Sequence, residues 1–325
     1  MNRMIRWATA GALTLGLSFP AFSQTKWDMP TPYGETNFHT QNIIKFAEDV
    51  KAATNGELTI AVHSGGSLIK HPEIKNAVRS GQVAIGEFLL STLANENPVF
   101  GIDSVPFLAN SYDAAAKLWN ASRERTEDAL AKQGLTILFA VPWPPQGVYA
   151  KKELNTIQDL KGVKFRAYNA ATERLAQLAG AVPTQIEVPD IPQGFATGRV
   201  DAMITSPSTG VNSKVWDFLS HYYDTQAWLP KNIVVVNKDA FASLDGATRN
   251  ALLDAAKAAE TRGWEASKQE TATQTKTLAD NGLNVAKPSE ALAASMREIG
   301  ETMTQEWLKN AGADGEAVID GYKAM

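Results

Sequence analysis

Apolar residues along the chain recur either at every second position over short runs or with a helical period over longer ones. The run from Leu58 to Val62 has the period of a strand, and Phe46 and Val50 lie on one face of a helix predicted from Phe38 to Thr54. The same pattern predicts strands at 27–31, 83–89, 135–141, 163–166, 200–205, 233–236 and 283–285, and helices at 71–80, 112–132, 170–180, 289–310 and 315–323. Strands that alternate with helices predict an α/β fold with mixed, mostly parallel sheets flanked by helices.

Three segments add detail to this alternation. Between residues 245 and 279 the helical pattern continues far beyond the usual length, so we predict one long helix that can brace two lobes. The four consecutive β-branched residues from Ile233 to Val236 predict a strand that is buried on both faces. Thr156 and Asp159 have the spacing of a capping box, which predicts a helical turn before the strand at 163–166.

Length and composition limit the classes of protein that this chain can represent. Its 325 residues correspond to about two domains of ordinary size. The net charge is −4 and no basic stripe is present, so we expect no nucleic-acid partner. The chain has no cysteine, which excludes disulfides, a lipoprotein anchor and thiolate metal sites. We expect a monomer.

The amino terminus has the features of a secretory signal peptide. Arg3 and Arg6 precede an apolar run from Trp7 to Phe19, and the segment from Ala21 to Ser23 places small residues where a signal peptidase reads them. We predict that residues 1–23 are removed by cleavage near Ser23 and that the mature protein lies in the periplasm. An uncleaved membrane anchor is the alternative.

Arg166 is the residue that points most directly to a function. It follows Val163 and Phe165 at the end of a predicted strand, and Asn169 is placed to cap the next helix. A guanidinium at the carboxyl end of a strand lies where open α/β sheets bind ligands, and its planar fork matches a carboxylate. This position predicts a site for a small acid, with an ordinary surface ion pair as the alternative.

Aromatic residues occur near the ends of predicted strands and at the proline-rich breaks of the chain. They are Tyr33, Phe38, Phe88, Trp143, Tyr168 and Trp228. Together they could form a cage around the apolar part of a ligand, although packing in the core is the simpler explanation for any one of them alone. His71, at the start of a predicted helix, is a further candidate ligand contact.

The sequence lacks the common catalytic and metal-binding motifs. Its four histidines do not have the spacing of a helical zinc site. There is also no Gly-x-Ser-x-Gly elbow and no phosphate-binding loop. We therefore predict a binding protein with no catalytic residue, no metal and no cofactor.

Three motifs in a fixed order carry a resemblance to a known family. They are Gly162-Val163-Lys164-Phe165-Arg166, Gly180-Ala181-x-Pro183 and Ala196-Thr197-Gly198-x-Val200-Asp201. The set resembles the solute-binding proteins of tripartite ATP-independent periplasmic (TRAP) transporters, of the dicarboxylate or sialic-acid receptor type. The likeness covers nearly all of the mature chain.

The resemblance implies a two-lobed periplasmic binding protein fold that closes on its ligand and delivers it to a membrane permease with a small and a large subunit. In that family the chain crosses between the lobes more than once, and a long helix spans both. The implied lobes are residues 24–143 with 231–271, and residues 144–230 with 272–325. The family's arginine, which pairs with the ligand carboxylate, corresponds to Arg166.

Two positions depart from the family's pattern. Gln146 lies where relatives often place a second polar or cationic group, and Thr205 or Ser206 replaces an asparagine. A second carboxylate would lack a cation here, which favours a monocarboxylate of modest size, either a hydroxy acid or an aromatic acid. The alternative classes are an ABC-type or sensor-linked periplasmic binding protein and a secreted α/β enzyme.

Overall fold

The computed structural model describes residues 24–325, and the predicted signal peptide at residues 1–23 lies outside this range. Within the described range, no helix combines the length and the apolar character that crossing a membrane requires. The strands are β1 (Thr25–Pro30), β2 (Leu58–His63), β3 (Ile85–Leu89), β4 (Leu135–Pro142), β5 (Gly147–Ala150), β6 (Lys164–Ala167), β7 (Val182–Gln185), β8 (Ala202–Thr205), β9 (His221–Tyr223), β10 (Lys231–Asn237) and β11 (Asn284–Ala286). The helices are α1 (Phe38–Ala53), α2 (His71–Arg79), α3 (Tyr112–Ala131), α4 (Ala170–Leu178), α5 (Ile191–Ala196), α6 (Pro207–Asn212), α7 (Lys238–Ser243), α8 (Gly246–Asp280) and α9 (Glu290–Lys323).

The strongly periodic segments of the sequence form the predicted elements, with ends that differ by a few residues. The turn at Ile157–Leu160 has the capping box expected from Thr156 and Asp159. The two helices predicted near the carboxyl terminus are consecutive parts of α9, separated at Gly312, whose φ is 55°. The pattern does not predict β5, β7 and β9, because strands of three or four residues contain too few side chains to show a period.

Two groups of strands form the cores of two lobes. In the first lobe, β1 is parallel to β2, and β10 lies between β3 and β4 and is antiparallel to both. The second lobe contains a mixed sheet of order β11-β9-β5-β8-β6-β7, in which β5 is antiparallel to β8 and β9. The segment from Ile233 to Val236 in β10 is fully buried, as predicted.

Long helices brace the two lobes. The predicted long helix is α8, which contacts α1 and β4 of the first lobe and α6 and β11 of the second. Asp245 caps it by accepting hydrogen bonds from the backbone N–H groups of Ala247 and Thr248. Helix α9 likewise contacts both α3 and α4. The limits of the lobes, 24–143 with 231–271 and 144–230 with 272–325, stay a prediction.

Gly263 lies on the face of α8 that packs against β4 and α1. A Cβ atom added there would clash with Val141 Cγ2 and would lie 2.8 Å from Asn42 Nδ2. We expect Gly263→Ala to lower the free energy of unfolding by about 1–3 kcal/mol, the usual cost of overpacking, as measured by urea denaturation. Gly246→Ala on the same helix is the matched control, because a Cβ added at Gly246 meets no atom within 4 Å. Equal destabilisation of the two variants would contradict the close packing of α8.

Candidate functional site

A cleft lies between the two lobes. The carboxyl ends of β3, β4, β6 and β8 reach this cleft, as expected for ligand sites on α/β sheets. Its walls consist of aromatic, apolar and hydroxyl side chains with one cationic and one anionic group. The lining residues are Tyr33, His71, Leu89, Trp143, Gln146, Arg166, Tyr168, Glu187, Val188, Thr205, Ser206, Thr209 and Pro230.

Arg166 is the cationic group of the cleft. It lies in β6, its side chain is 1% exposed, and its Nε donates to the backbone oxygen of Ile186 at 2.9 Å. Its Nη2 is buried and has no hydrogen-bond partner among residues 24–325. Burial lowers the pKa of Arg166 to about 10, so the group keeps its charge at neutral pH. A buried cation with an unused donor is a strong site for an anionic ligand.

A chain of hydrogen bonds fixes the second-lobe wall beside Arg166. Trp228 Nε1 donates to Tyr168 Oη at 3.2 Å, and that hydroxyl donates to Gln146 Oε1 at 3.1 Å. Gln146 Nε2 in turn donates to the backbone oxygen of Pro144 at 2.8 Å. Burial raises the pKa of Tyr168, so its hydroxyl stays protonated. The guanidinium carbon of Arg166 lies 4.8 Å from the centre of the Tyr168 ring. The ring therefore supports the cation from one side.

Hydroxyl groups occupy the end of β8. Thr205 ends that strand and is 4% exposed. Ser206 caps α6, because its Oγ accepts from the backbone N–H of Thr209 at 3.0 Å. Thr205 and Ser206 are both predicted ligand contacts, and both line the cleft. Ser206 Oγ also donates to Thr209 Oγ1 at 3.1 Å, so its hydroxyl is engaged and Thr205 is the freer of the two.

The first-lobe wall consists of aromatic rings held from behind by Asn232. Tyr33 Oη and Trp143 Nε1 both donate to Asn232 Oδ1, at 3.1 and 2.9 Å. Asn232 Nδ2 donates to Glu87 Oε1 at 2.8 Å. The rings of Tyr33 and Trp143 meet edge to face with their centres 4.9 Å apart. Burial raises the pKa of Glu87 to about 7.

Three of the aromatic residues considered as contacts do not line the cleft. Phe38 packs edge-on against Trp143, with ring centres 5.5 Å apart, and supports it from behind. Phe88 belongs to the core of the first lobe and borders a neighbouring groove. Trp228 is 0% exposed and acts through Tyr168. The sequence places all three near the cleft but does not show which way their side chains face.

His71 lies in the cleft and contacts Glu187, which is not among the predicted site residues. Its Nδ1 is 2.9 Å from Glu187 Oε2, and its Nε2 accepts from the backbone N–H of Leu89 at 3.2 Å. Glu187 follows β7, the edge strand beside β6. The rule that ligands bind at strand ends would have identified Glu187 if β7 itself were predictable. The other lining residues absent from the prediction are Leu89, Val188, Thr209 and Pro230.

Polar side chains of the two lobes touch across the cleft. Asn169 Nδ2, at the cap of α4, donates to Ser91 Oγ at 2.9 Å. At the other side, Asn37 Nδ2 donates to Asn212 Oδ1 at 2.9 Å. With the pair formed by His71 and Glu187, these contacts hold the lobes together around the cleft. Among residues 24–325, no group of three histidine, aspartate or glutamate side chains is placed to hold a metal ion.

Solved structures with the same fold are solute receptors. Two from Bordetella pertussis, DctP7 and DctP6, are described as extracytoplasmic solute receptors binding pyroglutamic acid. DctP7 is 48% identical, with 92% of this chain and 99% of that chain covered and a TM-score of 0.91. DctP6 is 44% identical, with 93% and 100% covered and a TM-score of 0.91. A marine metagenome TRAP solute-binding protein, described as specific for pyroglutamate, is 43% identical, with 93% and 100% covered and a TM-score of 0.92.

A family model gives the same result from sequence. Residues 32–310 match the model described as bacterial extracellular solute-binding protein, family 7. The match spans both lobes and includes the residues that line the cleft. The chain therefore belongs to family 7 of the bacterial extracellular solute-binding proteins, the receptors of TRAP transporters.

Proposed function

We propose that the ligand of this TRAP receptor is a small cyclic monocarboxylate of the pyroglutamate class, bound between the lobes with its carboxylate on Arg166. The observation that carries the proposal is the buried guanidinium with an unused Nη2 donor. Three solved receptors that are 43–48% identical to this chain are described as binding pyroglutamate. Among monocarboxylates, they favour a cyclic amide over the hydroxy and aromatic acids that the sequence suggested.

The walls of the cleft suit the remaining parts of such a ligand. Pyroglutamate is a five-membered lactam ring with an amide N–H and an amide oxygen. Its other three ring carbons are two CH2 groups and the CH group that carries the carboxylate. The rings of Tyr33 and Trp143 and the apolar side chains of Val188 and Pro230 can cover the ring carbons. The hydroxyl of Thr205 can donate to the amide oxygen.

The family assignment also decides between the classes of protein left open by the sequence. Members are solute receptors of transporters, so the enzyme and the ABC-type or sensor-linked alternatives are set aside. We propose further that the chain is exported and that residues 1–23 are removed by cleavage near Ser23. We propose that the mature protein acts as a monomer. We also propose that it delivers its ligand to a permease with a small and a large subunit.

Replacement of Arg166 by lysine tests the anchor. Arg166→Lys keeps the charge but loses the fork that bonds both carboxylate oxygens, so we expect pyroglutamate to bind at least tenfold more weakly. Isothermal titration calorimetry gives the affinity, and circular dichroism checks that the fold survives. Arg199→Lys is the matched control, because Arg199 is an exposed arginine of the same lobe. If Arg166→Lys binds pyroglutamate as tightly as the parent, the proposed site is wrong.

Glutarate tests whether the cleft accepts a second carboxylate. It has the five carbons of pyroglutamate but two negative charges, and Gln146 and Glu187 offer no second cation in the cleft. Burial of an uncompensated charge is costly, so we expect glutarate to bind at least tenfold more weakly than pyroglutamate. Competition titrations measure this ratio. Tighter binding of the diacid would show that a cation outside the cleft lining reaches the ligand.

Closure of the lobes is the third expectation. Since Arg166 is only 1% exposed, a ligand can reach it only after the lobes separate. Contacts with both walls then favour the closed form, so saturating pyroglutamate should reduce the radius of gyration measured by X-ray scattering. Hydrogen exchange should slow in both lobes. An unchanged radius with protection confined to one lobe would place the ligand outside the interlobe cleft.

A further inference from the structure

Glu187 places a carboxylate in the same cleft as the guanidinium of Arg166. Its side chain is 29% exposed, and its Oε2 is 2.9 Å from His71 Nδ1. An acid in a site for acids is unexpected, because it repels the ligand's own carboxylate. The position of Glu187 therefore indicates a specific role in ligand recognition.

The tautomer of His71 follows from its two hydrogen bonds. The backbone N–H of Leu89 donates to Nε2, so that nitrogen carries no proton. The ring proton is then on Nδ1, and His71 donates it to Glu187 Oε2. A neutral histidine satisfies one carboxylate oxygen without cancelling the negative charge. A carboxylate has about four lone-pair sites, so Glu187 can accept a further hydrogen bond beside those from His71 and the Gln185 side chain.

Glu187 is ionised in this setting. Burial opposes its charge, but its contacts with His71, the nearby positive charge of Arg166 and the side chain of Gln185 together lower the pKa of Glu187. The cleft consequently contains a fixed cation, Arg166, and a fixed anion, Glu187. This pair favours a ligand that brings an anionic group to Arg166 and a hydrogen-bond donor to Glu187.

The backbone places Glu187 close to Arg166. Arg166 Nε is bonded to the carbonyl oxygen of Ile186, the residue directly before Glu187. The Arg166 guanidinium and the Glu187 carboxylate therefore line the same part of the cleft, so one ligand can contact both. In pyroglutamate the ring nitrogen is attached to the carbon that carries the carboxylate. A ligand held by Arg166 can therefore offer this N–H to Glu187.

We infer that Glu187, oriented by His71, accepts a hydrogen bond from the N–H next to the ligand carboxylate and makes the receptor specific for acids that carry such an N–H. This inference rests on the proposed function. It adds a specificity determinant in the second lobe to the anchor at Arg166. An analogue with oxygen in place of the N–H would face the half-buried carboxylate of Glu187 with lone pairs and would supply no donor to it, so the site discriminates against it.

The test compares L-pyroglutamate with its lactone analogue, 5-oxotetrahydrofuran-2-carboxylate, which replaces the N–H by oxygen. Calorimetric titration of the parent protein should show at least tenfold tighter binding of the lactam. In Glu187→Gln, the Nδ1–H of His71 takes the amide oxygen, so the amide NH2 turns towards the ligand. We expect this variant to lose at least tenfold for the lactam and to hold or gain affinity for the lactone.

Two controls separate charge from geometry. Glu173→Gln removes an exposed carboxylate that lines the neighbouring groove and not the cleft, and it should leave the preference for the lactam unchanged. Arg166→Lys should weaken both ligands by similar factors and preserve their ratio. A lactam preference that persists undiminished in Glu187→Gln would overturn the role of Glu187.

If Glu187→Gln does not fold, the affinities of the parent protein for the lactam and the lactone still test the role of Glu187. Equal affinity of the parent for lactam and lactone overturns the role of Glu187 but leaves the proposed function standing. A parent protein that binds neither compound overturns the proposed function, and the role of Glu187 with it.

Discussion

Burial of a guanidinium group is the constraint on which the cleft depends. A charge removed from water is unfavourable unless its surroundings replace the lost hydration. For Arg166 the replacement comes from the carbonyl oxygen of Ile186, the face of the Tyr168 ring and the charge of Glu187. These groups hold the fork in one orientation but do not saturate its donors. The surrounding walls exclude water, so a ligand carboxylate is the group that can accept hydrogen bonds from the unused donors of Arg166.

A polar network behind the first-lobe wall has a related role. The single oxygen Oδ1 of Asn232 accepts from both Tyr33 and Trp143, and its amide group donates to Glu87. Thr31 Oγ1 also donates to Glu87. A fully buried network of this kind fixes orientation strongly, because any rotation would leave polar groups without partners. The aromatic rings therefore present a preformed surface, which reduces the entropy lost on binding.

The sequence predicts the long elements and the central cation, because both depend on local signals. Periodicity identifies α1, α3 and α8, and Arg166 follows from its place at a strand end before a capped helix. The orientation of single side chains depends on tertiary contacts, so Phe38 and Trp228 cannot be told from true cleft residues in advance. Glu187 escapes prediction for another reason. It follows a four-residue edge strand that contains Pro183 and the exposed Val182, and such a strand gives no periodic signal.

The position of β10 in the first lobe has a consequence for how the protein folds. It is the central strand of β3-β10-β4, yet its Asn232 is 145 positions away from its partner Glu87. Closing so long a loop lowers the chain entropy before the stabilising contacts can form. Proteins with such topologies therefore fold slowly. The amino-terminal segment cannot complete its own sheet until the chain has passed through the second lobe and returned. The core of the first lobe therefore stays unfinished until residues 231–237 are available.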